Sequence, residues 1–412
     1  MQLTRKNGLM TFAKPALALI LIMLTNSIWA NPIIPISRQT TMPVITPSTP
    51  NIDARSYILM DATTGKILAE KNADARVAPA SLTKLMSLYV MSGALKNGSI
   101  HLDDKVLVST KAWRTPGSRM FIKAGDEIPA RELLQGIVVA SGNDATVAMA
   151  EYIAGTEEAF TNIMNAQAKA LGMNNSHFID STGLPNPQHY STARDFAILA
   201  QALTRDYPED YRLFSEKWFS YNGIRQPNRN RLLWRFQYAD GLKTGHTDDA
   251  GYCLVGSAVK NGMRLISVVM GAPNDQSRTE DSIRLLTYGF RFFETHKLYG
   301  AGTSITKAHA WKGAQKQIDL GVAEDLYATY PVNQAKNVQA EVKLDDSIVA
   351  PIVKGQAYGT LNILANNQII ASKPLVALEN DPKGGMWGNL ADSVSYRFHR
   401  IFSKNTEKAN NG

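Results

Sequence analysis

Apolar and polar positions change period several times along this chain, and each change marks a boundary. Residues 56–61 and 66–70 run apolar or alternate around Thr63, Thr64 and Gly65, which predicts a β-hairpin. From Pro79 the spacing turns helical, and helical patterns prevail to about residue 218, broken at Asn97-Gly98, at Pro116-Gly117 and across 181–187. Beyond Asp240 short strands take over at 242–246, 252–259 and 265–270, the last two joined by Asn261-Gly262, a favoured two-residue turn. Ile283, Leu285, Leu286, Tyr288, Phe290 and Phe293 then recur at helical spacing, predicting a helix over 277–297 that closes an antiparallel sheet. Residues 300–380 read as all-β, with strands at 339–344, 358–364 and 369–371.

The two ends differ from this globular pattern. Arg5, Lys6 and Lys14 precede an apolar run over 16–24 and a short polar stretch ending at Ala30, the three parts of an export signal, with cleavage expected after Ala30. Residues 31–50 hold five prolines among Ser and Thr and suit an extended leader. At the other end Trp387, Leu390, Ala391, Val394, Phe398 and Ile401 share one helical face, with Arg397, Arg400 and Lys404 beside it and a Pro-Gly hinge over 381–385 before it. That combination, on an exported chain, points to in-plane attachment at a membrane surface.

Composition adds limits. At 412 residues and 44% hydrophobic, the chain can bury more than one core, so two or more domains are expected. A net charge of +8 suits an anionic partner, but export and the absence of a recognition motif argue against nucleic acid. The single cysteine, Cys253, excludes a disulfide framework and reads as a small buried hydrophobe in an apolar strand. The seven histidines show no ligand spacing, so neither a metal nor another cofactor is expected.

Three short segments carry candidate chemistry. Ser81-Leu82-Thr83-Lys84 follows Pro79 at a helix start, and positions three apart share a helix face, so a hydroxyl and an amine are neighbours there. To accept a proton the amine must be neutral, which requires burial or a nearby second cation, for which Lys243 is the candidate. Ser141-Gly142-Asn143 opens the next Ala-rich helix with a hydroxyl and an amide. Lys243-Thr244-Gly245-His246 lies on the first predicted strand after residue 240, where a glycine leaves room for a substrate backbone to lie along the edge. Each segment alone is common; all three, in this order on helix, loop and strand, form a specific set.

Across 50–405 the chain resembles the low-molecular-mass penicillin-binding proteins of the 5 and 6 type, D-alanyl-D-alanine carboxypeptidases of peptidase family S11. The resemblance covers the segments 79–84, 141–145, 189–193 (His-Tyr-Ser-Thr-Ala) and 241–247. It implies an α+β fold: a β-lactamase/transpeptidase-like catalytic domain over 51–298, a small all-β stalk over 299–380 and an amphipathic anchor over 381–412. It also implies that Ser81 attacks the D-Ala-D-Ala carbonyl of a peptidoglycan pentapeptide while Lys84 takes its proton. Ser141 and Lys243 would pass that proton to the departing D-alanine, and Asn143 would orient the substrate amide. The backbone N–H groups of Ser81 and His246 would form the oxyanion hole, and Thr244, Arg278 and Arg229 would hold the terminal carboxylate. β-Lactams would acylate the same serine. A class A β-lactamase is the nearest rival, but it carries Ser-Asp-Asn and a loop glutamate, and 172–192 offers no counterpart. A wall-binding protein that has lost its chemistry is the other rival, against which the intact Ser81, Lys84, Ser141, Asn143 and Lys243 argue.

Overall fold

A computed structural model describes residues 47–385 of the protein. The expected export signal, the leader up to residue 46 and the amphipathic stripe from Trp387 to Ile401 lie outside the described residues.

The chain enters a hairpin, β1 (Ser56–Asp61) and β2 (Ile67–Lys71), then a 3-10 turn (Ala80–Thr83) that runs into α1 (Lys84–Lys96). A small hairpin, β3 (Lys105–Leu107) with β4 (Glu127–Pro129), encloses α2 (Thr110–Arg114). The lobe continues through α3 (Ala130–Gln135), one π-helical turn (Gly136–Ala140), α4 (Asn143–Ala154), α5 (Glu157–Ala170), α6 (Ala193–Asp206) and α7 (Pro208–Tyr211). A second small hairpin, β5 (Trp218–Tyr221) and β6 (Ile224–Pro227), and the short α8 (Leu232–Arg235) lead into β7 (Ala239–Thr247), β8 (Gly251–Lys260) and β9 (Met263–Ala272). α9 (Asp275–Phe292) covers the sheet.

That sheet is antiparallel in the order β2-β1-β9-β8-β7, which leaves β7 at an edge. The β8–β9 turn is Asn261-Gly262, both at positive φ as a tight two-residue turn requires. Strand period explains why β1 is buried throughout: Ile58 and Met60 face the helical lobe, while Tyr57 and Leu59 face Leu285 and Leu286 of α9. On the lobe side α1 is buried on nearly every face from Lys84 to Ser92, so it forms the centre of the helical layer.

Two features differ from the sequence reading. The stretch read as helical contains the β3–β4 hairpin, whose strands are too short to show a period. The helix expected to reach residue 297 stops at Phe292, because Phe293–Tyr299 forms β10 and pairs with Leu326–Pro331. Phe293 fits the apolar face of a helix and the buried face of a strand equally well, so its spacing did not separate the two.

The second layer system is all-β. It contains β11 (Ser304–Trp311), β12 (Gln317–Gly321), β13 (Leu326–Pro331), β14 (Val338–Leu344), β15 (Ile348–Val349), β16 (Ala357–Ala365) and β17 (Gln368–Ala377), with its own core around Leu320, Leu361 and Leu375. Residues 381–384, expected as a hinge, are instead built into this domain. Asp381 is fully buried and exchanges backbone bonds with Ile352, and Gly384 donates to the Lys312 carbonyl.

The β1–β2 turn meets the β10–β13 pair through a polar joint. Buried Asp61 accepts from Thr64 N and Oγ1, both at 2.7 Å, with one carboxylate oxygen and from Thr295 Oγ1 at 2.8 Å with the other. Thr329 Oγ1 lies within hydrogen-bond reach of Thr64 and Thr295, and its carbonyl accepts from Lys66 Nζ at 2.9 Å.

Candidate active site

Ala80 sits in left-handed backbone at a φ of 48°, uncommon for a residue with a Cβ, and this kink starts the 3-10 turn that carries Ser81. Ser81 stays partly exposed while Lys84, one turn on, has no exposed surface. Lys84 Nζ donates to Ser81 Oγ at 3.0 Å and to the Thr182 carbonyl at 2.8 Å. Burial, opposed by Asp180 and assisted by the Arg229 charge, brings its pKa down to about 7. At neutral pH a large share of Lys84 is therefore a free amine, the form that can take a proton.

The Thr182 carbonyl is held in place by a turn that the sequence reading treated only as a helix break. Asp180 Oδ1 accepts from Thr182 N, Thr182 Oγ1 and Gly183 N at 2.7, 2.8 and 2.6 Å. Burial alone would raise the Asp180 pKa, but His189 and these N–H groups outweigh it and hold the carboxyl well below the usual range. Buried His189 faces Asp180 at 3.3 Å and reaches Thr83 Oγ1 at 2.9 Å, tying the turn to the nucleophile's own helix start. Gly183, at a φ of 89°, approaches so closely that a Cβ there would collide with the Ala80 carbonyl oxygen. The Asp-Ser-Thr-Gly run at 180–183 was the available signal, since Asp commonly caps such turns with its side chain.

The second serine follows the π turn and is itself left-handed at a φ of 57°, which turns its side chain out of the helical path. Ser141 Oγ accepts from Lys243 Nζ at 2.9 Å. Next to it, Asn143 donates its backbone N–H to the Ser118 carbonyl at 2.7 Å and its side-chain amide to the Pro116 carbonyl at 2.6 Å. Its Oδ1 is buried with no partner among the described residues. Asp144 accepts from the N–H groups of Met120, Phe121 and Ile122 at 2.9, 2.9 and 3.3 Å, so it shapes the 115–122 wall of the site. Neither Asp144 nor Ser118 was singled out from sequence.

Strand β7 closes the site. Lys243 is almost fully buried, and burial, then the charges of Lys84, Arg229 and Arg278, pull its pKa well down from the ordinary lysine value. Its amine also donates to the Thr244 carbonyl at 3.1 Å. A Cβ at Gly245 would lie 3.0 Å from the Pro79 carbonyl oxygen and 3.1 Å from Leu82 N, so the glycine lets β7 seat against the Ser81 turn. His246 is exposed and its ring lies 4.0 Å from that of Tyr252.

The two arginines differ. Arg278 is buried, and its Nη1 is committed to the carbonyls of Gly245 and Cys253 at 3.0 and 3.3 Å, with Nη2 on Asp275. It braces β7 and β8 from behind. Arg229 keeps part of its surface open and donates to Ser118 Oγ at 2.6 Å; crowding by protein and then the Arg278 charge lower its pKa. Cys253 is a buried free thiol whose pKa burial pushes up to about 11, an inert hydrophobe as read from sequence.

A serine hydroxyl bonded to a buried amine that titrates near neutrality, with a second serine–lysine pair opposite, is the arrangement of a lysine-assisted serine acyl-transfer site. Residues 43–274 match the D-alanyl-D-alanine carboxypeptidase family, peptidase S11, and residues 293–383 match the C-terminal domain of penicillin-binding protein 5. The chain is 45% identical to the D-alanyl-D-alanine carboxypeptidase DacC of Escherichia coli (strain K12) over 361 residues, 86% of this chain and 90% of that one. It is also 45% identical to DacA of the same strain over 364 residues, with the same coverage. The crystal structure of penicillin binding protein 5 from Haemophilus influenzae superposes with a TM-score of 0.79 at 42% identity, covering 82% of this chain and 99% of that one. The chain belongs to the D-alanyl-D-alanine carboxypeptidase family, and it is an enzyme of the penicillin-binding protein 5/6 type.

The approach of Gly183 to Ala80 gives a direct check. Gly183→Ala should lower the unfolding free energy by about 2 kcal/mol or more, from positive φ and the steric clash together, and should slow penicillin acylation as the Thr182 carbonyl leaves Lys84. Urea denaturation and acylation rate on one preparation measure both.

Proposed function

We propose that the protein removes the terminal D-alanine from peptidoglycan pentapeptides through an ester on Ser81. The observation that carries this reading is the buried Lys84 amine, 3.0 Å from Ser81 Oγ with a pKa of about 7. Ser81 Oγ attacks the carbonyl of the D-Ala-D-Ala bond as its proton passes to neutral Lys84. The backbone N–H groups of Ser81 and His246 stabilise the oxyanion. Ser141 and Lys243, joined at 2.9 Å, pass that proton on from Lys84 to the departing amine, the C–N bond breaks and D-alanine leaves. Water then cleaves the ester and returns free Ser81.

Substrate holding divides among the remaining groups. Asn143 orients the substrate amide from a side chain that its own N–H, donated to the Pro116 carbonyl, holds in place. Thr244 and the partly open Arg229 hold the terminal carboxylate, for which a planar guanidinium is suited. Arg278 adds positive charge from behind β7 and spends its hydrogen bonds on the protein. A β-lactam presents its strained amide to the same serine and forms the same ester.

Location follows from segments outside the described residues. The export signal expected over 1–30 supports a periplasmic location, with the catalytic domain of 51–298 and the stalk of 299–380 held at the inner membrane by the amphipathic segment after 385. Among the described residues no helix is long and apolar enough to cross a membrane, which is compatible with in-plane attachment.

Three outcomes are expected. Ser81→Ala abolishes D-alanine release from a D-Ala-D-Ala pentapeptide and abolishes penicillin labelling; release that survives the substitution overturns the assignment. The acid limb of kcat/KM reports Lys84: its neutral form is the base, so the rate rises with pH through about 7 and levels off above it, falling about tenfold per pH unit well below. A flat profile between about pH 5 and pH 8 removes Lys84 as the base. Truncation after Gly385 releases the protein from membranes while leaving penicillin acylation intact; unchanged membrane association counts against the anchor.

A further inference from the structure

We propose that Asp180, His189 and the peptide group between Thr182 and Gly183 form a polar linkage that governs Lys84 as the base, with Asp180 and His189 as positioning residues for acyl transfer. The proposal rests on the carboxypeptidase reading and deepens it, since neither residue belongs to the three serine and lysine segments.

One peptide group connects two opposite charges. The Thr182 carbonyl accepts from Lys84 Nζ at 2.8 Å, and the N–H of the same planar unit, that of Gly183, donates to Asp180 Oδ1 at 2.6 Å. Amine and carboxylate therefore sit at the two ends of one peptide dipole, whose negative end is on the lysine. Hydrogen bonds in such a series polarise and strengthen one another. Thr182 N and Oγ1 also donate to Asp180 Oδ1, at 2.7 and 2.8 Å, so the carboxylate and the peptide cannot turn independently.

The linkage closes on the helix start it came from. Asp180 Oδ2 faces His189 Nδ1 at 3.3 Å, and His189 Nε2 reaches Oγ1 of Thr83, the neighbour of Lys84, at 2.9 Å. The imidazole is buried, and the Phe178 ring meets it edge to face with centroids 5.7 Å apart. Two polar ends and an apolar flank leave it one place to stand. It keeps Asp180, whose side chain is 20% exposed, from turning towards water.

Lys84 has opposing requirements: it must be a free amine before attack, yet basic enough to hold the serine proton afterwards. Burial favours the free amine most, Asp180 opposes it, Arg229 assists it, and Asp144 opposes it least. Lys243 on β7 is the other amine in this field. Glu157 of α5 also bonds the turn, accepting from Ser181 N and Oγ at 3.1 and 2.7 Å, but Lys111 pairs with it at 2.8 Å. Asp180 is thus the anion that keeps the base from becoming too weak. Its own carboxyl is held well below the usual range, so it stays charged wherever Lys84 titrates.

The test is the pH profile of penicillin acylation on the full chain, which reports attack by Ser81 independently of the later hydrolysis. Asp180→Asn keeps an acceptor for the turn and removes the charge. Without the anion the Lys84 ammonium loses stabilisation and sheds its proton more readily, so the acid limb should move towards acid by about one pH unit or more. The plateau above it should fall, because a weaker base accepts less readily. Asp180→Ser, whose hydroxyl also caps such turns, should move the limb in the same direction. His189→Ala should slow acylation about tenfold, and His189→Gln, with an amide to set between Asp180 and Thr83, should restore most of the rate.

An acid limb that stays in place in both Asp180 variants, whatever the rate, overturns the proposal and makes the turn purely structural. So does failure of both to fold, and so do equal losses in the two His189 variants. A wild-type chain that neither reacts with penicillin nor releases D-alanine from a pentapeptide refutes the carboxypeptidase reading itself.

Discussion

Two lysine amines are kept inside this protein, each bonded to a serine hydroxyl, and much of the structure serves to make that tolerable. An ammonium taken out of water loses several kcal/mol of solvation even after relaxation. Lys84 escapes by titrating near 7, so that at neutral pH it need not carry its charge. Its remaining polarity is satisfied by the Ser81 hydroxyl and the Thr182 carbonyl. Lys243 lies in the same field, and burial, Lys84, Arg229 and Arg278 all disfavour its charged form. The depressed basicity and the hydrogen bonds have one origin, the exclusion of water. That exclusion produces a base at the pH where a free lysine would be a cation.

Exclusion of water requires close approach, and close approach explains the glycines. Gly183 lets the 180–184 turn press its carbonyl groups onto the start of α1, and Gly245 lets β7 seat on the 79–82 turn. A side chain at either position would push a wall away from Lys84. Ala80 and Ser141, both left-handed, set where the serines stand: Ala80 starts the turn that carries Ser81, and Ser141 itself leaves the π turn. Such backbone is held only when its surroundings over-determine it. Asp144 binds the N–H groups of Met120, Phe121 and Ile122 on a neighbouring loop, and Asp180 binds those of Thr182 and Gly183 in its own turn.

Much of this was legible in the sequence, and the boundary of legibility has a physical cause. The tight turn at Asn261-Gly262, the strands around it and the three serine and lysine segments depend on local rules, and the structure has Lys84 beside Ser81 and Lys243 beside Ser141. What the sequence did not disclose were partners chosen by tertiary contact: Thr182 for Lys84, Ser118 for Arg229, and the Gly245 and Cys253 carbonyls for Arg278. Partners brought up from distant segments leave no local spacing to read; only the Asp180 turn, through its Asp-Ser-Thr-Gly run, offered a signal. The helix that stopped at Phe292 belongs to the same case, because the deciding interaction was pairing with Leu326–Pro331, far along the chain.

The joint between the catalytic sheet and the all-β domain shows the same economy at a larger scale. It rests on Asp61, the last residue of β1, whose carboxylate accepts from Thr64 on its own hairpin and from Thr295 on the β10–β13 pair. Thr329 completes the set by reaching both threonines and by taking the Lys66 amine on its carbonyl. Apolar contacts alone would let the two domains slide, since burial is insensitive to direction. Hydrogen bonds are not: moving the pair aside would strip donors from a buried carboxylate, with about 1–3 kcal/mol at stake for each group left unpaired. Asp61 belongs to β1, which pairs directly with β9 at the centre of the catalytic sheet. The all-β domain is therefore hydrogen-bonded to the same sheet whose edge strand carries Lys243.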